Sequence, residues 1–313
     1  MRNKVFTIGT RGSPLALSQA NMVKEALEQN NSNLEVKLKI IKTKGDIVLD
    51  VALSKIGDKG LFTKELEIEL FNKTVDIAVH SLKDMPTQLP EGLAIGGVLK
   101  RGEFRDALIH ITGKKFYELD ENDVIATSSL RRHAQLMKYN KNFKIVDIRG
   151  NVNTRLKKMN EGHCTAMIMA AAGLQRLNLE NKISQILEPE IIIPAVSQGA
   201  VTMEARKEDK ATLDLLNSVT HKETLIAVTA ERVFLKMLEG GCQVPIGCYT
   251  QISGNKFKIE GFISDIDGSN IIQDSLEGDI NQSCILAEKL AGAFLKNGAN
   301  KIMEKIRRIK KFK

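Results

Sequence analysis

Through its first 200 residues the chain alternates short apolar runs with segments of helical period, in two successive blocks. In the first block VFTIG (5–9) reads as a strand, and Pro14 opens a helix that runs to about residue 29. Proline suits that place because the N–H groups of a first turn lack helical partners anyway. LEVKLKIIK (34–42) reads as a strand. TKELEIELFNK (63–73) reads as a helix capped by Thr63 with Leu66, Leu70 and Phe71 inward, and VDIAVH (75–80) as a buried strand ending at His80. The second block gives strands at 124–128, 143–148 and 165–170, with helices at 129–139 and 151–162 between them. Such alternation predicts parallel sheets, and two blocks predict two α/β domains. From residue 221 the pattern changes to a long helix, three alternating segments near 247–253, 256–264 and 270–277, and two closing helices. That pattern predicts an α+β domain with an antiparallel three-stranded sheet. No internal repeat or low-complexity linker is visible, so the connections are expected to be short, near 96–104, 194–200 and 217–221.

Composition narrows the class. The chain has 313 residues, 42% of them hydrophobic and 27% charged, enough to bury a core without staples. No apolar run reaches the roughly 18 residues of a membrane span, and MRNKVFTIGTRGSPLALS lacks the apolar stretch of a secretion signal. A cytoplasmic location is therefore expected. Of the net charge of +8, +6 lies in KIMEKIRRIKKFK (301–313), so the excess is a tail and not a domain-wide field. Ile302, Ile306 and Ile309 share one face of that tail, which reads as an amphipathic helix packed on the last domain. Membrane-surface or nucleic-acid contact is the other use of such a face. The four cysteines form no C-x-x-C pair and no zinc spacing, so no metal is expected. Cys164, Cys248 and Cys284 read as small buried hydrophobes.

In open α/β folds ligands bind beyond the carboxyl ends of the strands. Those positions carry Arg11 and Ser13, then Ser81, Lys83 and Asp84, then Ser129, Arg131 and Arg132. Arg149, Gly150 and Asn151 follow, with Arg155 a turn on, and Arg176 comes last. An exposed arginine is ordinary taken singly. Cations at helix N-termini oppose the macrodipole, so helix stability does not explain the set. Paired arginines at helix N-termini suit carboxylates or phosphates. There is no G-x-x-x-x-G-K-[ST], no G-x-G-x-x-G after a strand and no tryptophan, so a polycarboxylate is favoured over a nucleotide. Asp84 reads as a lone acid among cations, expected to stay ionised and to hold a positively charged or N–H-bearing group. His80 reads as a hydrogen-bonded structural residue more readily than as a catalyst. Cys242, in EGGCQVPIG (239–247), follows a glycine pair and precedes Pro245. It is either a buried structural thiol or a nucleophile or attachment point.

TRGSPLALSQA (10–20), HSLKDMPT (80–87), TSSLRRHAQL (127–136), IRGNVNTRL (148–156), PAVSQGA (194–200) and ERVFLKMLEGGCQVPIG (231–247) together resemble the motifs of the hydroxymethylbilane synthase, or porphobilinogen deaminase, family. The resemblance runs from about residue 4 to about 300, and the order of six motifs makes it specific. It implies two domains resembling periplasmic binding proteins plus a third, α+β domain. The divisions expected are 1–99 with 200–217, 100–199, and 218–313. It implies an enzyme, a transferase, that joins four porphobilinogen molecules head to tail and releases ammonia at each step. It implies a covalent dipyrromethane cofactor attached through Cys242. Asp84 matches the catalytic acid that stabilises the azafulvenium formed as ammonia leaves. Arg11, Ser13, Gln19 and Arg176 match substrate positions. Lys83, Ser129, Arg131, Arg132 and Asn151 match cofactor positions, and Arg149 and Arg155 match groups serving both. The segment 43–62, with Gly45, Gly57, Lys59 and Gly60, resembles a mobile loop over the cleft. The expected partner is porphobilinogen, with no nucleic acid or membrane, and the expected state is a monomer.

Two other classes compete with this reading. A non-enzymatic carboxylate-binding protein of the same architecture explains the arginines, but needs neither Cys242, Asp84 nor a third domain. A thiol acyltransferase using Cys242 lacks an evident Cys–His pairing.

Overall fold

A computed structural model describes residues 4–47, 60–239 and 244–311. Cys242, and the Gly57 and Lys59 of the 43–62 segment, lie outside the described residues. The chain divides into two compact units. The first comprises the N-terminal segment with Asp58–Gly102 and Ala200–Leu225, the second Glu103–Gly199 and Ile226–Lys313.

The first unit is built on β1 (Lys4–Thr10), α1 (Pro14–Asn30), β2 (Leu34–Ile40), α2 (Lys44–Ile47), α3 (Lys64–Phe71), β3 (Ile77–Ser81) and β4 (Leu93–Val98). The chain returns to it later as β10 (Val201–Arg206) and α7 (Lys210–Ser218). Ser13 caps α1, its Oγ accepting from the Ala16 N–H at 3.3 Å, and Pro14 stands in the first turn. Ala16, Gln19, Ala20, Val23 and Leu27 recur at helical spacing and are buried. Phe6, Ile8, Val36, Ile77 and Met203 from the strands join Ala20, Val23 and Leu27 in one core. α3 departs from expectation in two ways. Thr63 stands at its N-terminus without a side-chain capping bond, and Phe71 is 49% exposed while Leu66 and Leu70 are buried. The inward face is complete without Phe71, which lies at the last helical position.

The second unit holds β5 (Asp106–His110), β6 (Val124–Ala126), α4 (Leu130–Tyr139), β7 (Lys144–Val146), α5 (Val152–Asn160), β8 (Ala166–Ala170), α6 (Ala171–Gln175) and β9 (Gln185–Leu187). It also holds β11 (Ile246–Ser253), β12 (Lys256–Ile263), β13 (Ile272–Asp279), α9 (Ser283–Lys296) and α10 (Ala299–Lys311). α8 (Lys222–Met237) leads into this last group. β11, β12 and β13 form an antiparallel meander covered by α9. Phe234 and Phe294 meet edge to face in its core, with ring centroids 5.1 Å apart.

The two larger sheets have the same plan. Their orders are β2-β1-β3-β10-β4 and β7-β6-β8-β5-β9. Neither is wholly parallel, contrary to the simple reading of strand–helix alternation. β10 runs antiparallel to both β3 and β4, and β5 to both β8 and β9. The reason is chain routing: each of these strands enters its sheet from the other block of sequence, without a covering helix to turn it parallel. The fold is thus α/β twice over plus a third, antiparallel sheet, with a repeat of topology that has no counterpart in sequence.

The basic tail packs one face against the last domain, as expected. Ile302, Met303 and Ile306 of α10 are buried in the core beneath the third sheet, while Lys305 pairs with Asp265 at 2.6 Å and Arg307 with Glu239 at 2.8 Å. The Ile309 side chain lies outside the described residues. Cys164 and Cys248 are buried as expected; Cys284 is only half-buried. Among the described residues no helix is long and apolar enough to cross a membrane.

Candidate active site

In the first unit the candidate residues follow the carboxyl ends of β1 and β3. Arg11 comes directly after β1, and Asp46 of α2 takes one edge of its guanidinium. Arg11 Nε donates to Asp46 Oδ2 at 3.2 Å, and Nη2 donates to Oδ1. The guanidinium carbon stands 4.1 Å from the centre of the Phe62 ring. Burial alone raises the Asp46 pKa, but the Arg11 hydrogen bond and charge, with Thr43, carry it below its ordinary value. Gln19, buried on α1, donates from Nε2 to the Ser81 hydroxyl at 2.8 Å, tying α1 to the end of β3.

Lys83 and Asp84 follow in a short 3-10 turn, Leu82–Asp84. Lys83 is half-buried, whereas Asp84 is exposed and has no hydrogen-bond or ion-pair partner among the described residues of its unit. The expected pocket of arginines around Asp84 is therefore not seen within that unit. His80 is buried, with Nε2 3.1 Å from Glu204 Oε2, a structural pairing of the kind its place in the strand suggests.

In the second unit the candidates follow β6, β7 and β8. Ser129 stands at the N-terminus of α4, its N–H donating to Thr127 Oγ1 at 3.2 Å. Arg131 and Arg132 are both buried and converge on Asp106 of β5. Arg131 Nη1 donates to Asp106 Oδ2 at 2.8 Å and to the Ile193 carbonyl at 2.6 Å. Arg132 donates to Asp106 Oδ1 from Nε at 3.1 Å and Nη2 at 2.6 Å, and Gln198 Nε2 adds a third bond to that oxygen at 3.0 Å. These two arginines thus have a protein partner, which corrects the view of Asp84 as the lone acid of the set. Sequence reasoning missed Asp106; its only signal was a charge opening the otherwise apolar run DALIH (106–110).

One carboxylate does not balance two guanidiniums. Burial raises the Asp106 pKa, and the two arginines more than reverse this, leaving it well below the usual carboxylate range. Burial pushes Arg131 down, outweighing the attraction of Asp106, with the like charge of Arg132 adding to it. The cluster of described groups carries one cation in excess, and a second anion relieves that imbalance.

Arg149, Gly150 and Asn151 form the turn into α5. Asn151 caps the helix, Oδ1 accepting from the Thr154 N–H at 2.9 Å and hydroxyl at 3.0 Å. Arg155 Nε donates to the Gly150 carbonyl at 2.8 Å, which folds this arginine back over the turn that carries Arg149. Burial lowers the Arg149 pKa, the nearby Asp147 opposing it. Arg176 closes α6 and donates to the Gly199 carbonyl; desolvation lowers it to about 10. Desolvated guanidiniums at strand and helix ends form the donor set that an acetate- and propionate-bearing pyrrole chain needs. The residues fit a dipyrromethane: Ser129, Arg131, Arg132, Arg149, Asn151 and Arg155 in this unit offer hydroxyl, amide and guanidinium donors to its carboxylates.

Known proteins agree with this chemistry. Residues 6–214 match the family model described as "Porphobilinogen deaminase, dipyromethane cofactor binding domain", and residues 225–296 match "Porphobilinogen deaminase, C-terminal domain". The porphobilinogen deaminase of Desulforamulus reducens is 46% identical over 307 residues, covering 98% of this chain and 99% of the relative. Those of Carboxydothermus hydrogenoformans and Chlorobium luteolum are also 46% identical, over 305 and 309 residues, each covering 97% of this chain and at least 98% of the relative. Both family models in order, and near-complete coverage by relatives at this identity, make the chain a member of the porphobilinogen deaminase family.

Proposed function

We infer that the chain carries out the reaction of its family, as a hydroxymethylbilane synthase of tetrapyrrole and heme biosynthesis. Four porphobilinogen molecules are joined head to tail and four ammonia molecules are released. The structural observation that carries this reading is the buried excess of positive charge where Arg131 and Arg132 share Asp106. A polycarboxylate substrate and product need such a set of cations.

When bound through Cys242, the dipyrromethane supplies the primer that is extended. Arg131, Arg132, Ser129, Asn151 and Lys83 hold its carboxylates, and Arg149 and Arg155 serve both it and the incoming unit. Arg11, Ser13, Gln19 and Arg176 receive the substrate. Asp84 is the catalytic group. Positive charge develops on a pyrrole nitrogen as ammonia departs, and a fixed carboxylate lowers the transition state more than the ground state. The short turn after β3 keeps that carboxylate away from intramolecular partners in its own unit, so its charge is available to the reacting group.

Three separate sheets support a division at 1–99 with 200–217, 100–199 and 218–313. The packed apolar face and ion pairs of α10 support a structural tail, with no nucleic-acid or membrane partner. We further place the protein in the cytoplasm as a monomer. The test is stoichiometric. Purified protein given porphobilinogen is expected to release one ammonia for each porphobilinogen consumed and to yield a linear tetrapyrrole. Binding without ammonia release identifies the competing class, a carboxylate-binding protein.

A further inference from the structure

Arg11 is held from two directions. Its face lies against Phe62, and its Nε–Nη2 edge lies against both oxygens of Asp46. Asp46 is itself fixed, since Thr43 donates to Oδ2 from its hydroxyl at 2.8 Å. Gly45 lets the aromatic ring in: a Cβ built there falls 2.1 Å from Phe62 Cε1, so any other residue displaces the ring. A guanidinium has two forks. Asp46 takes the Nε–H and one N–H of Nη2, and no hydrogen bond from Nη1, the other arm of the Nη1–Nη2 fork, is made among the described residues of this unit. Arg11 can therefore serve two carboxylates at once.

The pairing is poorly explained as a stabilising device. Both side chains are about three-quarters buried, and the desolvation that such a pair costs offsets much of its attraction. It also cancels part of the charge that attracts an anionic ligand. An ion pair that lowers attraction and adds little stability has a use if it fixes direction, because a catalytic site is sensitive to small misplacements of the bound substrate.

We propose that Asp46 is a positioning residue for substrate binding: with Phe62 it locks the Arg11 guanidinium so that its second fork grips one carboxylate of porphobilinogen. This rests on the reading of Arg11 as a substrate ligand.

Steady-state kinetics of the full-length, cofactor-loaded enzyme with porphobilinogen test it. Asp46→Asn is expected to raise KM about tenfold with kcat little changed, the pattern of lost binding shared by ground and transition states. Asp46→Glu restores part of the loss, because it keeps the charge. Thr43→Val, which keeps volume and both charges but frees the aspartate, raises KM by a smaller factor. It carries the test should Asp46→Asn fold poorly. A purely structural role predicts lower melting temperatures with unchanged KM in the folded fraction. Unchanged or lower KM in Asp46→Asn, alongside raised KM in Arg11→Gln, overturns the proposal while leaving Arg11 as a substrate ligand. Unchanged KM in Arg11→Gln overturns the reading of Arg11 and the proposal with it.

Discussion

Asp106, which opens β5 of the second unit, and Asp84, which follows β3 of the first, contrast a carboxylate that serves structure with one proposed to serve chemistry. Asp106 is fully buried and anchors Arg131, Arg132 and Gln198. Asp106→Asn leaves two buried guanidiniums facing each other and is expected to cost about 3–5 kcal/mol at neutral pH, read from denaturant unfolding. The pH dependence has a defined sign. The folded pKa of Asp106 lies below the unfolded value near 4, so its contribution is complete above that value and drains away as pH falls toward the folded one. The difference between wild type and Asp106→Asn should therefore be largest near pH 7 and shrink below about pH 4; a constant difference across that range contradicts the pairing. Asp84 is exposed, so its removal should do the opposite. Asp84→Asn is expected to melt with wild type and keep its cofactor, yet lose at least about 10²-fold in kcat. A near-wild-type rate assigns the charge stabilisation to another residue. The arginines were legible in the sequence because they follow strand ends. Asp106 was not, because it lies 25 residues before Arg131 and only the packing of β5 brings it there.

At the scale of the element, the turn into α5 shows how a short motif holds several functional groups. Gly150 has φ +113°, a conformation L side chains rarely adopt, and a Cβ there would fall 2.6 Å from Thr154 Cγ2. Residues proposed to carry chemistry surround it: Arg149 before it, the helix cap Asn151 after it, and Arg155 bonded to its carbonyl. Asn151→Ala removes a cap worth about 1 kcal/mol. Gly150→Ala is expected to lose about 1–3 kcal/mol through the backbone strain, and to displace both arginines as well. Intact mass should then show a larger fraction of cofactor-free chain in Gly150→Ala than in Asn151→Ala. Equal cofactor content in the two variants means that the turn does not position the arginines. Elements of this kind were legible because local rules shape them: Pro14 and Ser13 start α1, and Asn151 starts α5. The short strands β4, β5, β9 and β10 escaped the reading. Their partners are distant, as with Thr202 on β10 opposite His80 on β3, and an isolated apolar run carries no mark of its direction.

For the whole molecule, the two crossings of the chain between blocks build two sheets of one plan, and the second sheet gathers most of the residues proposed to hold the cofactor. Ser129, Arg131, Arg132, Arg149, Asn151 and Arg155 all belong to the second unit, as does the segment Ile226–Lys313 in which Cys242 falls by sequence. A group covalently joined to Cys242 stays on the chain when it unfolds, but only the folded chain can grip its carboxylates with those donors, and attachment makes its effective concentration there high. In the proposed arrangement it also supplies the anions that the Arg131–Arg132–Asp106 cluster is short of. Wild-type protein should therefore be heavier than its sequence by one dipyrromethane, on a peptide containing Cys242. Cys242→Ser should fold, lack that mass and activity, and melt at a lower temperature than wild type; Cys164→Ser should keep the mass and the activity, losing only some stability because its hydroxyl is buried in an apolar core. The loss should also be local. Hydrogen exchange comparing wild type with Cys242→Ser is expected to show weakened protection in α4, α5 and the ends of β6, β7 and β8, with β1, β2 and the core of α1 unchanged. Protection lost equally in both units would mean that the cofactor stabilises the molecule by some route other than the arginines of the second sheet. An unmodified mass in active wild-type protein would remove the covalent cofactor from the account altogether.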